Sequence, residues 1–195
     1  PLFLSVAIVA YGYYEARNLQ IERLVINTSK LPNKAGKVRI AQISDLHLSV
    51  TVGEHMIDKV IKIIEDEKPD IIVSTGDLID GVVRHVNHLS GRLRNLNAQY
   101  GKFAVPGNHE FYGGLRHTVK FIEESGFTVL RDSGVTIENI INIAGMDFTG
   151  VETKEYSNAA SRQDEREVLS KLRPGLFTLL LKHRSDVDKE SLGLF

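Results

Sequence analysis

The run Ile71-Ile72-Val73 passes straight into Ser74-Thr75-Gly76-Asp77. Three β-branched apolar residues in succession, with Pro69 just before them and a glycine just after, predict a short buried strand. A glycine followed by a carboxylate then puts Asp77 on the rim of a sheet. In open α/β sheets the loops beyond the carboxyl ends of the strands converge on a rigid scaffold, and ligands bind there.

The chain repeats that pattern. Val38-Arg39-Ile40-Ala41-Gln42-Ile43 predicts a strand that ends in Ser44-Asp45-Leu46-His47, and Lys102-Phe103-Ala104-Val105 predicts one that runs into Pro106-Gly107-Asn108-His109-Glu110. Between them Ile57, Val60, Ile61 and Ile64 recur at helical spacing and stop before Pro69, while Val82, Val86, Leu89, Leu93 and Leu96 trace a second stripe. Leu115, Val119 and Ile122 mark a third helix, closed by Gly126. Strand then helix, three times over, predicts an α/β layered domain. From Phe127 the texture changes to short strands, Phe127 to Leu130, Val135 to Glu138 and Ile140 to Ala144, whose tight turns predict antiparallel neighbours. A polar helix from Ser157 to Leu172 and a final strand from Leu176 to Leu181, ending in Lys182-His183, complete the series. Upstream, Ile21 to Ile26 predicts a strand and Thr28 to Lys37 a surface loop.

Composition narrows the chemistry. With 195 residues, 42% apolar and 25% charged, the chain has the core-forming content of one soluble domain. A net charge of −1 supplies no basic surface to displace counterions, so nucleic acid is not an expected partner. Cysteine is absent, which excludes disulfides, thiolate zinc sites and cysteine nucleophiles and leaves oxygen and imidazole as metal ligands. The first residues stand apart: Leu2 to Tyr14 is apolar except for Ser5 and Gly12. A helix of about 13 residues spans roughly 20 Å, short of the roughly 30 Å hydrocarbon core of a bilayer. The segment reads as the end of a transmembrane or signal-anchor helix, or as an apolar helix packed on the domain. Tyr11, Tyr13 and Tyr14, followed by Glu15-Ala16-Arg17-Asn18, suit a membrane interface. The expected organisation is an anchor segment over 1–18, a domain over 19–195 and a membrane-associated location.

Four strand ends carry the residues that a divalent metal prefers: Asp45 and His47, Asp77, Asn108 and His109, and His183. Carboxylate oxygen suits Mg, Mn and Fe, imidazole suits Zn, Fe, Mn and Ni, and an amide oxygen is a neutral ligand. Each residue also has a plainer reading. Asp77 could be a turn residue that caps a helix, Asp80 reads as capping the helix or orienting the loop, and His183 could be a satisfied core histidine. His55, His85, His88 and His117 read as solvated helix residues, Glu110 as a hydrogen-bond partner behind the site, and Arg162 to Glu167 as a solvated helix face.

In order and spacing, Asp45-x-His47, Gly76-Asp77-x-x-Asp80, Gly107-Asn108-His109-Glu110 and a later His183 resemble the calcineurin-like metallophosphoesterases, from Val38 to Asp186. Gly12-Tyr13-Tyr14-Glu15-Ala16-Arg17 and Lys182-His183-Arg184 resemble the membrane-anchored bacterial branch. The resemblance implies a four-layer α/β/β/α sandwich with the site between two sheets. It implies that Asp45 and His47 hold a first metal, Asp77 bridges two, Asn108 and His183 hold the second, and His109 is catalytic and faces the leaving group. The two divalent ions would be Mn, Fe or Zn. The implied reaction is hydrolysis of a phosphate ester or pyrophosphate by a metal-activated hydroxide. The substrate would be a phosphorylated small molecule or lipid, with a lipid-linked or nucleotide-sugar pyrophosphate in keeping with an anchor. Two cations bring about +4, which Asp45, Asp77 and a hydroxide reduce by about 3, so neutral Asn108 and the imidazoles preserve an excess that attracts phosphate. The family pattern closes with Gly-His-x-His, which does not occur up to Phe195. The sandwich is therefore expected to be incomplete at the C-terminus. The alternative is a non-catalytic metal or phosphate-binding module on the same fold.

Overall fold

The computed structural model describes residues 2–49, 54–80, 83–149 and 164–195. Two sheets face each other. The first contains β1 (Ile40–Ile43), β2 (Ile71–Ser74), β3 (Lys102–Ala104) and β4 (Thr128–Val129), all parallel and in chain order. The second contains β5 (Ser133–Ile137), β6 (Ile141–Gly145) and β7 (Phe177–Leu181), with β5 antiparallel and β7 parallel to β6.

Side chains alternate across a strand, so one strand can serve two cores. On β2, Ile72 joins a core with Ile57 and Ile64 of helix α2 (Glu54–Glu67; α1 is Leu2–Glu15). Phe121 and Ile122 of helix α5 (Leu115–Glu124) belong to that same core. Ile71 and Val73 point the other way, into a core with Phe103, Ile141, Ile143 and Leu181 between the sheets. That double duty is why Ile71-Ile72-Val73 is an unbroken apolar run. Ala144 and Leu180 meet Val168 and Leu169 of helix α6 (Glu165–Ser170) on the outer face of the second sheet. Three cores thus separate four layers, helix, sheet, sheet and helix, as the family resemblance implies. The sheets approach closely at Gly145, where a Cβ would come within 2.4 Å of Leu130 Cβ and 2.7 Å of Val105 Cγ1.

Several local expectations change. Ile21 to Ile26 forms no strand: Leu24 is 83% exposed, and no strand among the described residues pairs with the segment. Strand formation needs a ladder partner as well as β-branched side chains. Thr128–Val129 pairs in parallel with β3, so only Ser133–Ile137 and Ile141–Gly145 form the antiparallel pair predicted beyond Phe127. The stripe through Val86, Leu89, Leu93 and Leu96 is buried, but two 3₁₀ turns and the short helix α3 (Ser90–Arg94) carry it, with helix α4 (Asn108–Tyr112) following β3. Asn87, Ser90 and Gly91 are poor helix formers, which accounts for the interruption. Of the polar helix predicted from Ser157 to Leu172, Glu165–Ser170 is described as α6, capped by Asp164, whose carboxylate accepts the Glu167 N–H at 2.6 Å. Residues 157–163 lie outside the described residues.

Helix α1 has no buried residue, so it does not pack on the domain. No helix among the described residues is long and apolar enough to cross a membrane. The chain after α1 rests on α2: Lys59 Nζ donates to the Arg17 carbonyl at 3.0 Å, and Arg23 pairs with Glu67.

Candidate metal centre

The site is built on two loops that nearly touch. Gly76, at φ +103°, and Gly107 sit backbone to backbone: a Cβ on Gly76 would lie 2.7 Å from the Gly107 nitrogen and 2.7 Å from His183 Nδ1. A Cβ on Gly107 would lie 2.3 Å from Asp77 Oδ1. Only residues without a side chain permit that approach. Glu110 locks the two loops together. Its fully buried carboxylate accepts the N–H groups of Gly107 at 2.8 Å, Asp77 at 2.8 Å and Ile79 at 3.1 Å. Burial pushes the Glu110 carboxyl above its ordinary pKa, against the opposing pull of those three donors. Asp77, itself buried, accepts the His109 N–H on Oδ1 at 2.9 Å, which leaves Oδ2 facing the site.

The loop after β1 extends the sheet's ladder to the Asp77 loop. Asp45 N–H donates to the Gly76 carbonyl at 3.1 Å and His47 N–H to the Asp77 carbonyl at 2.9 Å. Asp45, His47 and Asp77 all hold left-handed φ, at 53°, 46° and 52°. Left-handed non-glycine residues concentrate at functional sites, where the surrounding structure over-determines them. His47 Nε2 lies 3.7 Å from Asp77 Oδ2 and 3.9 Å from Asp45 Oδ1. These spacings are too long for hydrogen bonds. They suit atoms that share one cation at about 2.0–2.2 Å from each.

His183 arrives from the second sheet. Its Nδ1 lies 3.0 Å from the Thr75 carbonyl, which can only accept, so Nδ1 carries the proton. That leaves Nε2 turned towards the site, 3.0 Å from Asn108 Oδ1 and 3.5 Å from Asp77 Oδ2. A cation held by Asn108 Oδ1 and Asp77 Oδ2 would take Nε2 as a third ligand. Phe148 stacks edge-on against the His183 ring at 5.7 Å and forms a wall.

His109 is oriented by Asp80, whose Oδ1 lies 2.9 Å from His109 Nδ1. Its ring also meets His47 edge-on at 4.6 Å and Tyr112 at 5.8 Å. The structure therefore gathers Asp45, His47, Asp77, Asn108, His109 and His183 at one rim. Ligand atoms of His47, Asp77 and His109 lie within 4.8 Å of one another, as do those of Asp45, Asp77 and His183. Asp77 belongs to both groups. Asp80 orients a histidine rather than capping a helix, and its place in Gly-Asp-x-x-Asp was the available signal. Phe148 and Tyr112 carried none. Elsewhere, His88 pairs with Glu54 at 3.3 Å on the surface, in line with a solvated face. Glu165 does not follow that reading for Arg162 to Glu167: it is buried and pairs with Lys182 at 2.7 Å.

An α/β sandwich whose strand ends collect carboxylate, imidazole and amide donors around one shared aspartate has the donor set of a divalent-metal site. The chain belongs to the calcineurin-like phosphoesterase family, whose model matches residues 38–191. It is 38% identical over 191 residues to an uncharacterized metallophosphoesterase of Aquifex aeolicus, covering 98% of this chain and 72% of the relative. It is 33% identical over 187 residues to an uncharacterized metallophosphoesterase of Bacillus subtilis, covering 90% of this chain and 62% of the relative. At 23% identity over 199 residues it is similar to a transmembrane protein with metallophosphoesterase domain of Danio rerio, covering 98% of this chain and 45% of the relative.

Proposed function

We propose that the protein hydrolyses a phosphate ester or pyrophosphate with the help of two divalent cations. Asp45, His47 and Asp77 hold one, and Asp77, Asn108 and His183 hold the other. The observation that carries this reading is Asp77 Oδ2, which lies 3.7 Å from His47 Nε2 and 3.5 Å from His183 Nε2. Bound cations supply Lewis acidity towards phosphoryl oxygens and lower the pKa of water towards neutrality. The chain's own residues do the rest. The Thr75 carbonyl fixes the His183 tautomer so that Nε2 faces inward. Glu110 holds the Asp77 and Gly107 loops in register. Asp80 accepts from His109 Nδ1 and favours the imidazolium form of the ring, which carries a second proton on Nε2 to give to the leaving oxygen. Neutral Asn108 completes the ligand set without cancelling the positive charge that draws phosphate.

The substrate class is a phosphorylated small molecule or lipid. A membrane surface suits the exposed apolar helix α1 and its tyrosines, with the Arg17 guanidinium 3.5 Å over the Tyr13 ring. The name of the Danio rerio relative is in keeping with that location. Elemental analysis after loading with Mn, together with an assay on bis(4-nitrophenyl) phosphate, tests the reading. About two metals per chain with turnover are expected, and Asp77→Asn should lose at least about a thousandfold in kcat/KM. Turnover that survives chelation would overturn it.

A further inference from the structure

Of the six residues gathered at the rim, His183 is the one that the second sheet carries, so the site depends on how the two sheets meet there. They meet at the carboxyl ends of β4 and β6. Gly145 admits Leu130 without a side chain between them, and the residues one and two positions further on, Arg131 and Asp147, pair. Arg131 Nε donates to both Asp147 carboxylate oxygens, at 3.1 and 2.9 Å, and Nη2 donates to Oδ2 at 2.6 Å. The Asp147 N–H donates to Asp132 Oδ1 at 3.0 Å. Asp132 holds a left-handed φ of 43°, a turn geometry that aspartate tolerates, and the Arg131 N–H donates to Ser133 Oγ at 3.1 Å. The turn from β4 to β5 thus grips Asp147 by its side chain and its backbone together. Asp147 is 6% exposed, and a carboxylate buried to that degree needs a partner of opposite charge. The ring of the next residue, Phe148, contacts both halves of the site. It lies 5.7 Å from the His183 ring and 6.3 Å from that of Phe111, which follows Glu110 on α4.

We propose that Arg131 is a positioning residue that sets the orientation of His183, acting through Asp147 and Phe148. Its bearing on metal binding rests on the reading of His183 as a ligand. The Thr75 carbonyl holds Nδ1 of the His183 ring, and a ring held at one atom can still tilt about that bond. An aromatic ring packed edge-on against it removes the tilt and fixes where Nε2 points. Phe148 can do so only while its own backbone is fixed, and the residue before it is the one that Arg131 and Asp132 hold. A guanidinium suits the task because its planar fork engages both carboxylate oxygens and so fixes direction as well as distance, whereas an ammonium is a point charge. The link runs from the end of the first sheet to the ligand on the second, which keeps His183 in register with Asp77 and Asn108.

Two measurements test the assignment. The first is proton NMR of the histidine rings with metals chelated, the His183 signals being identified by their loss in His183→Asn. Phe148→Leu removes the ring current and gives the full scale of the shift. Arg131→Ala should move the His183 signals in a protein that circular dichroism shows to be folded, and Arg131→Lys should move them less. The signals of His88, paired with Glu54 on the surface, should stay in place. A residue that only stabilised the fold would lower the unfolding midpoint and leave the native His183 signals where they are. The second measurement is Mn titration. The Mn that His183→Asn weakens should bind about tenfold more weakly in Arg131→Ala, the scale typical of groups that orient a metal ligand, and any other Mn as in wild type. Unmoved His183 signals, or an unchanged affinity for that Mn, would overturn the proposal. Should Arg131→Ala fail to fold, Arg131→Lys is read in the same two ways. Wild-type protein that binds no Mn would sink the metal reading of His183, and NMR of the chelated protein would still decide whether Arg131 sets its orientation.

Discussion

Strand β3 has a buried charge at each end, and the two are built as mirror images. At the amino end Lys102, 8% exposed, donates to the carbonyls of Leu93 at 2.7 Å, Arg94 at 3.0 Å and Ser125 at 3.1 Å. Just past the carboxyl end Glu110, fully buried, accepts three backbone N–H groups. Burial lowers the Lys102 ammonium to about 8, helped by Arg94, and raises the Glu110 carboxyl. Yet only one end is a candidate site. Lys102 ties down the ends of α3 and α5, and among the described residues no metal-ligating cluster includes its neighbours. Glu110 fixes loops whose own side chains, Asp77 and Asn108, converge with His47 and His183. A perturbed buried charge is thus a weak marker of function by itself, and what its partners carry decides.

The largest expected effect breaks the Glu110 end. Glu110→Ala leaves three buried donors without an acceptor, which costs about 4 kcal/mol in urea unfolding, less than the sum of three separate losses because a water can enter. Glu110→Gln keeps one acceptor and should recover part of that loss. A cost under about 1 kcal/mol for Glu110→Ala would show that the loops hold themselves. Next comes Gly107→Ala. Its φ of −98° suits any residue, so the cost is steric, from a Cβ 2.3 Å from Asp77 Oδ1 and 2.7 Å from the Asp77 nitrogen. Overpacking of that kind costs about 3 kcal/mol, again read in urea.

Lys102→Met should cost less, about 2 kcal/mol at neutral pH, because losing three carbonyl bonds is offset by no longer burying a charge. Bound Mn per chain should not change, since Lys102 lies at the end of β3 away from the rim. The pH profile sharpens the contrast. Between about 8 and the ordinary lysine range the folded state has released the proton that the unfolded state still binds. Stability of the wild type relative to Lys102→Met should therefore rise with pH through that window. A flat difference between the two profiles would show that Lys102 titrates normally.

The same division between local pattern and distant partner governs what could be read from the sequence. Ile71-Ile72-Val73 and Gly76-Asp77 were legible because burial on both faces and a tight turn are written in neighbouring residues. The rim set was legible because each member follows its own strand. Ile21 to Ile26 has strand-like residues and no strand, because a ladder partner is not a local property. Phe127 to Leu130 showed its strand character but not that its neighbour would be β3. Glu165 looked solvated because Lys182, the residue that lets it be buried, lies 17 positions away. Asp80 pointed at a loop, while its bond to His109 depends on how two loops meet.

Asp45 supplies the smallest expected effect and the strictest test of the contrast. It sits at the site end of the sheet, yet its side chain is more than half exposed and pairs with its own neighbour Ser44. Its φ of 53° is one that glycine adopts freely, so Asp45→Gly relieves backbone strain in the folded state. The extra freedom of glycine in the unfolded chain offsets that relief, and the net change should stay within about 0.5 kcal/mol. Bound Mn per chain should nevertheless fall, because a carboxylate on the rim is lost while the scaffold behind it is intact. Glu110→Ala should lose stability and metal together. If Asp45→Gly instead unfolds with Glu110→Ala, then the rim and its scaffold are one cooperative unit, and charges that hold the fold are not separable from charges at the rim.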